Sequence, residues 1–272
     1  MNAPSGGTGY LHGYTPAEQR RLVEQAEYWR DGLILPDLPY RSGERLLDVG
    51  CGAGAVLGLL AAAHPGLVLA GIDREPRQVE AARAHLVSHG RPDADLRVGD
   101  AAALPWPDGF FQHAYLMWFV EHVPRIEPIL REVRRVLAPG GTITVNETEY
   151  ESFHVWPEHD DWEYLEAAMF RHFQAHGQAH AGRRLGPLLV EAGFSDVTNR
   201  LMGFHFFTRP GCDELRRHTH YTADYIEPAI PVFVEMGCDE VRLRRGLEHL
   251  LAIHEDPHGA FTQMVYRARG VA

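Results

Sequence analysis

The chain has 272 residues, 45% hydrophobic and 23% charged, with a formal net charge of -11 and no lysine among its 26 basic residues. That length and apolar mass suit one α/β core with helical insertions rather than two full domains, and without lysine neither Schiff-base nor lysine-base chemistry is open to it. The acidic balance disfavours a nucleic-acid partner, and no apolar run approaches the roughly 18 residues of a membrane helix.

Met1 to Gly9 is small and polar, with no basic segment leading into an apolar run, so the expectation is a cytoplasmic protein. Thr15 to Arg30 reads as a helix, with Thr15 as N-cap, Pro16 at the first helical position and Glu18 completing a capping box. After a Pro- and Gly-rich loop the pattern alternates. Arg45 to Val49 reads as a strand, Ala53 to His64 as a mostly apolar helix and Leu67 to Ile72 as a strand. Pro76 to His89 is a helix stopped by Gly90, and Asp95 to Val98 and Phe110 to Met117 are strands. Pro124 to Leu137 shows the clearest helical spacing, ended by Pro139-Gly140-Gly141. Thr142 to Asn146 is a fifth strand, rich in β-branched residues. The alternation predicts βαβ units and a parallel sheet with helices on both faces.

The pattern breaks after Asn146. Residues 147 to 180 are aromatic, acidic and rich in histidine, with a helix expected from about Asp160 to His176. Leu185 to Ala192 reads as a helix, Phe194 to Phe207 as a sixth strand, about Gly211 to His254 as a second helical insertion and Phe261 to Arg269 as a last strand. The expected organisation is an N-terminal helical cap over 1–44, then one domain over 45–272 with helical insertions at about 147–180 and 211–255. Cys51, Cys212 and Cys238 suggest neither a disulfide framework nor a paired-cysteine metal site, and no metal is expected.

The stretch Leu46-Leu47-Asp48-Val49-Gly50-Cys51-Gly52-Ala53-Gly54 runs an apolar strand into a glycine turn and directly into a helix. Glycines let backbone pass close to a ligand, and exposed amides at a helix start favour an anionic group. Asp73 follows the next strand, where an acid suits a ribose diol. Gly50, Gly52 and Ala55 also satisfy a dinucleotide-binding pattern, so these residues alone leave the ligand open.

Further motifs decide the reading. Ile72-Asp73, Val98-Gly99-Asp100-Ala101, Leu104-Pro105-Trp106-Pro107-Asp108-Gly109-Phe110-Phe111, Glu121-His122-Val123 and the run from Leu130 to Gly141 follow in order. Together with the glycine stretch, this set resembles the class I S-adenosylmethionine-dependent methyltransferases of the small-molecule branch. The resemblance runs from Arg45 to Val145 and thins through Gly182 to Val197. It implies a Rossmann-like, mostly parallel seven-stranded sheet with its last strand antiparallel beside the sixth, and helical insertions forming a lid over the strand ends. It implies S-adenosylmethionine as cofactor, with S-adenosylhomocysteine as product, and a small-molecule acceptor. Asp48 would orient the methionine amino group through water. Gly50, Gly52 and Gly54, with Cys51 among them, would line the methionine moiety. Asp73 would hold the ribose hydroxyls, and Asp100 and Ala101 the adenine. Met117 and Trp118 would lie near the methionine end. The sequence departs from the family at Arg74, where a hydrophobic residue usually flanks adenine, and at Gln112, usually Asp. A planar guanidinium at Arg74 can still stack on a ring.

Methyl transfer needs alignment and exclusion of water, and a base only where the nucleophile must lose a proton. His122 is a candidate base near a helix start; the alternative is a residue bonding a loop carbonyl. Glu147 and Glu149, after the fifth strand, would face the cleft and act as base or bind an amine, or else lie in a solvated loop. His172, His176 and His180 are spaced by four, as ligands on one helix stripe can be, but Gly177 interrupts the helix and polar lid residues are the plainer reading. Tyr10, Tyr14, Trp118, Phe119, Phe153 and Trp156 are aromatics near the expected cleft edges, able to face a sulfonium or to pack in the core. For Tyr10 and Tyr14 the expectation is cofactor or lid contact. Two other functions stay on the table, a nicotinamide-dependent oxidoreductase and a cofactor-binding protein without methyl transfer. Assembly as a homodimer is left open.

Overall fold

A computed structural model describes residues 13–272; Tyr10 lies outside them. Helix α1 (Pro16–Trp29) starts as its sequence dictates. Pro16 opens the first turn and the Thr15 hydroxyl accepts the Glu18 amide at 3.2 Å. The Glu18 carboxylate grips Arg21 through paired bonds of 2.7 Å. A π-turn, Arg30–Ile34, follows and buries Leu33 and Ile34 completely.

The sheet is built from β1 (Arg45–Val49), β2 (Val68–Asp73), β3 (Asp95–Val98), β4 (Phe111–Met117), β5 (Leu137–Trp156), β6 (Ser195–Phe207) and β7 (Ala260–Val271), in the order β3-β2-β1-β4-β5-β7-β6. The pairs β1–β2, β2–β3, β1–β4 and β4–β5 are parallel. β7 runs antiparallel between β5 and β6. The dinucleotide-binding order 3-2-1-4-5-6 lacks that inserted strand. Helices α2 (Ala55–Ala63), α3 (Pro76–Ser88) and α4 (Glu127–Val136) connect the parallel strands. Gln112, at the amino end of β4 and away from the carboxyl ends of the strands, accepts the Arg45 amide on Oε1 at 2.9 Å.

Three expectations need correction, one of them the helix expected from Leu185, which begins at Ala181. α4 starts at Glu127, three residues later than expected, and the chain passes straight into β5 at Leu137. More importantly, β5 does not stop at Asn146. It continues to Trp156, pairing Glu147 with Tyr266 and Trp156 with Ala260 of β7. The alternating apolar pattern of a half-exposed strand is absent because Thr148, Glu149 and Ser152 are polar and yet buried. Helix begins only at α5 (Asp160–His176), followed by α6 (Ala181–Glu191), α7 (Glu214–Ile226), α8 (Ile230–Glu235) and α9 (Glu240–Ala252).

Burial is divided among three apolar clusters. One packs α4 and α6 on β1, β4 and β5, and another packs α1, α2 and α3 on the opposite face. The third joins α5 and α7–α9 to the far ends of β5 and β7, giving the insertions a core of their own. α1 meets α7 through Tyr28 stacked on Tyr221 at 4.5 Å and the Trp29 indole donating to the Tyr221 hydroxyl at 2.9 Å.

Candidate active site

The carboxyl ends of β1, β2, β3 and β4 open into a cavity of about 370 Å³. The glycine turn forms its floor. The Gly50 and Cys51 amides both donate to the Ile72 carbonyl, at 2.9 and 3.0 Å, pinning the turn to β2. Gly50 has φ +76°, and a Cβ there would collide with the Phe119 ring. At Gly54, φ +75°, a Cβ would lie 2.9 Å from that of Ala82, so glycine lets α2 start against α3.

Three carboxylates ring this floor. Asp48 is buried, and its Oδ2 has no hydrogen-bond partner among the described residues. Burial, and after it the charge of Asp73, pushes Asp48 up to about 7. Asp73 accepts the Gly52 amide on Oδ2 and the Glu75 amide on Oδ1, both at 2.9 Å. Burial raises it, against the pull of those two bonds. Each of its oxygens keeps a lone pair for a ligand. Asp100 accepts the Ala102 amide at 2.9 Å on Oδ1, which fixes the turn after β3.

Of the residues expected at the site, Tyr14, Gly50, Cys51, Gly52, Asp73, Arg74, Asp100, Ala101, Met117, Trp118 and His122 line this one cavity. Asp48 and Gly54 are adjacent in the chain but do not line it. An orphaned buried oxygen on Asp48, a floor that excludes side chains and two tethered carboxylates match what an amino acid joined to a nucleoside requires.

The wall after β4 is the strained part. Trp118 takes φ +48°, a left-handed conformation costly for a bulky side chain. Its amide donates to the Asn146 carbonyl and its indole to Thr148 Oγ1, both at 3.0 Å. The next three amides converge on Glu147. The Phe119 and Val120 amides reach Oε1 at 2.9 and 2.6 Å, and the Glu121 amide reaches Oε2 at 3.3 Å. The expectation that Glu147 faces the cleft is therefore not met. Its side chain is fully buried, and it holds the turn that carries Trp118, Glu121 and His122. Glu149 is also buried, paired with Arg183 of α6 at 2.7 Å.

His122 lines the cavity with its imidazole kept neutral; burial, then the nearby His172 and Arg74, pushes it down to about 3. His172 and His176 stack at 4.8 Å, while His180 turns toward Glu151 at 4.0 Å, so the three do not converge. Glu149, Glu151 and His180 do cluster, but Arg183 already bonds both glutamates. Phe153 belongs to the insertion core, and Trp156 is exposed at the far end of β5.

Sequence reasoning missed Arg21 and Gln25 of α1, Gln78 of α3, Glu121 and Tyr225 of α7, all of which line the cavity. Only Glu121, adjacent to His122 in a recognised motif, carried a signal. The others come from elements whose approach to the strand ends is set by packing.

Residues 47–145 match a family model described as a methyltransferase domain. The chain is 34% identical over 145 residues to 27-O-demethylrifamycin SV methyltransferase of Amycolatopsis mediterranei, covering 52% of each protein. It is 33% identical over 141 residues to ajmaline N-methyltransferase of Rauvolfia serpentina, covering 52% of this chain and 47% of that one. The matches span about half the length of the curated relatives. In fold, it superposes on the YcgJ protein of Bacillus subtilis with a TM-score of 0.56, at 15% identity, over 93% of this chain and 97% of that one.

Proposed function

We propose that this chain, which matches a methyltransferase domain over residues 47–145, is a class I S-adenosylmethionine-dependent methyltransferase that transfers a methyl group to a small-molecule acceptor at the cavity above β1, β2 and β4. The observation that carries the reading is the placing of Asp73 and Asp100 around one glycine floor, with the unpartnered Asp48 buried behind it, at successive strand ends. S-adenosylmethionine, when bound, supplies an electrophilic methyl on a sulfonium. The chain's own residues do the rest. Asp73 holds the ribose diol, and Asp100 with the Ala101 amide receives the adenine. Arg74 lies against the ring. Asp48 acts on the methionine ammonium through water, and Met117 and Trp118 bound the methionine end. In this reading His122 is a neutral wall and not a proton acceptor, since a group held near 3 is a weak base at neutral pH.

Support for a small-molecule acceptor comes from the relatives, named for demethylrifamycin SV, ajmaline and a methylenesterol. The N-terminal helix α1 and α7 of the second insertion give the cavity side walls, a scale that suits a metabolite. No helix among the described residues is long and apolar enough to cross a membrane. Calorimetric titration with S-adenosylhomocysteine tests the reading, with NAD and Asp73→Ala as controls. Micromolar binding of the first, none of NAD, and loss in the variant are expected. Preference for NAD, or no binding, would overturn it.

A further inference from the structure

A second chamber of about 30 Å³ adjoins the large cavity. Gln25, Trp118, Glu121 and Tyr225 line both. One buried water needs about 10–15 Å³ of such space, so the chamber takes a compact polar head of about two or three heavy atoms and not a ring. Five aromatic side chains, Trp118, Tyr150, Phe153, Tyr221 and Tyr225, and one carboxyl group, Glu121, make most of its wall. The Tyr150 hydroxyl donates to Glu121 Oε1 at 3.0 Å and lies 3.0 Å from the Tyr225 hydroxyl. Thr222 Oγ1, buried in the same wall, has no hydrogen-bond partner among the described residues.

That lining selects by charge. Aromatic faces are negative and attract cations, most strongly when water is excluded. A carboxylate or phosphate in the chamber would meet π faces and the Glu121 carboxyl; no described lining residue is an arginine or histidine, and the nearest basic side chains lie behind the wall, Arg21 5.4 Å over the Tyr225 ring and His122 Nε2 3.4 Å from Glu121 Oε1. An alcohol would find hydrogen bonds but gain nothing from the aromatic box. An ammonium gains from both.

We propose that this chamber is the acceptor subsite of the enzyme and receives the head of a small aliphatic amine, with Glu121 as the group that holds the amine's proton; this rests on the methyltransferase reading above. In the empty chamber burial, and then the charge of Glu147, keeps Glu121 protonated well above the ordinary carboxylate range. An entering ammonium lowers the cost of ionising it, so one proton leaves to solvent as the amine binds and one is shared between nitrogen and Glu121. When the shared proton rests on Glu121, the nitrogen lone pair is free. The nitrogen–carbon bond forms as the carbon–sulfur bond breaks, and that electron pair stays on sulfur. The product departs as the methylated ammonium, leaving Glu121 protonated for the next turnover. In sum, an ammonium and a sulfonium become a methylated ammonium and a thioether, with one proton released on binding.

The protein saturated with S-adenosylhomocysteine is titrated calorimetrically with dimethylammonium chloride, in two neutral buffers of different ionisation enthalpy. Isopropanol and acetate serve as neutral and anionic probes of similar size. Dimethylammonium is expected to bind with release of about one proton, and the other two at least about tenfold more weakly, the size of a lost hydrogen bond to a charged group. Glu121→Gln should abolish proton release and weaken the amine by about tenfold or more. Thr222→Ile, which fills the chamber without touching the glycine floor, should block the amine while S-adenosylhomocysteine still binds. No amine binding beside bound S-adenosylhomocysteine, equal binding of acetate, or indifference of both variants would overturn the amine assignment alone. Failure of S-adenosylhomocysteine to bind any of these proteins would overturn the methyltransferase reading and the subsite with it.

Discussion

The Glu147 carboxylate accepts the Val120 amide at 2.6 Å, joining the middle of β5 to the turn that ends β4. A side chain that the sequence offered for chemistry is spent on architecture, because an acid two residues beyond the β-branched run of β5 sits under three converging amides. Replacing it tests that division of labour. Glu147→Ala leaves those amides buried without a partner and should cost about 3 kcal/mol of stability in urea denaturation. Glu147→Gln keeps an acceptor oxygen and should cost about 1 kcal/mol. If Glu147 instead served the reaction, the Gln variant would be as stable as wild type and inactive.

Gly50 supplies a second test. Its φ of +76° and the Phe119 ring over it leave no room for a methyl group. Gly50→Ala should lose about 1–3 kcal/mol and S-adenosylhomocysteine affinity with it. Adding Phe119→Leu should recover part of both by removing the collision. A double variant no better than the single would locate the cost in backbone conformation alone.

Asp48 sets a pH dependence. Its carboxyl titrates near 7 because it is buried beside Asp73. The methionine ammonium favours the ionised form, so cofactor affinity should rise as pH climbs from about 6 to 8, by about tenfold for one unit of titration. Asp48→Asn should bind weakly and flatly across that range. A slope that survives the substitution would assign the titration to another group.

His218 governs acid stability. It is fully buried, its Nδ1 2.9 Å from the Tyr28 hydroxyl, and burial pushes it down to about 3 from an ordinary 6.5. The unfolded chain then binds more protons than the native one between these values. The stability that this group confers is complete above about 6.5 and is lost as pH falls toward 3. Denaturation curves of His218→Gln should therefore be flatter with acid than those of wild type, by about 1–3 kcal/mol near pH 4. Parallel curves would show that another group dominates the acid limb.

How much of this was legible in the sequence depends on whether the information is local. β1, β3 and α5 fall at or within a residue of their expected bounds, since strand and helix periods and the stop signals act over a few neighbouring residues. The glycine floor and Asp73 were readable for the same reason, and Asp48 and Asp100 through the family resemblance. They lie at fixed offsets from strand ends, and a parallel sheet brings strand ends together. What could not be read is whatever depends on residues far apart. β5 extends to Trp156 because β7, more than a hundred residues later, pairs with it. Glu147 faces amides and not a ligand because the turn after β4 folds under it. Tyr150 reaches both Glu121 and Tyr225 because α7 packs with β5 in the insertion core and against α1 through Tyr221. Local propensity determined the frame and the glycine turn, and long-range packing alone decided that Glu147 is structural and that Tyr150 reaches both Glu121 and Tyr225.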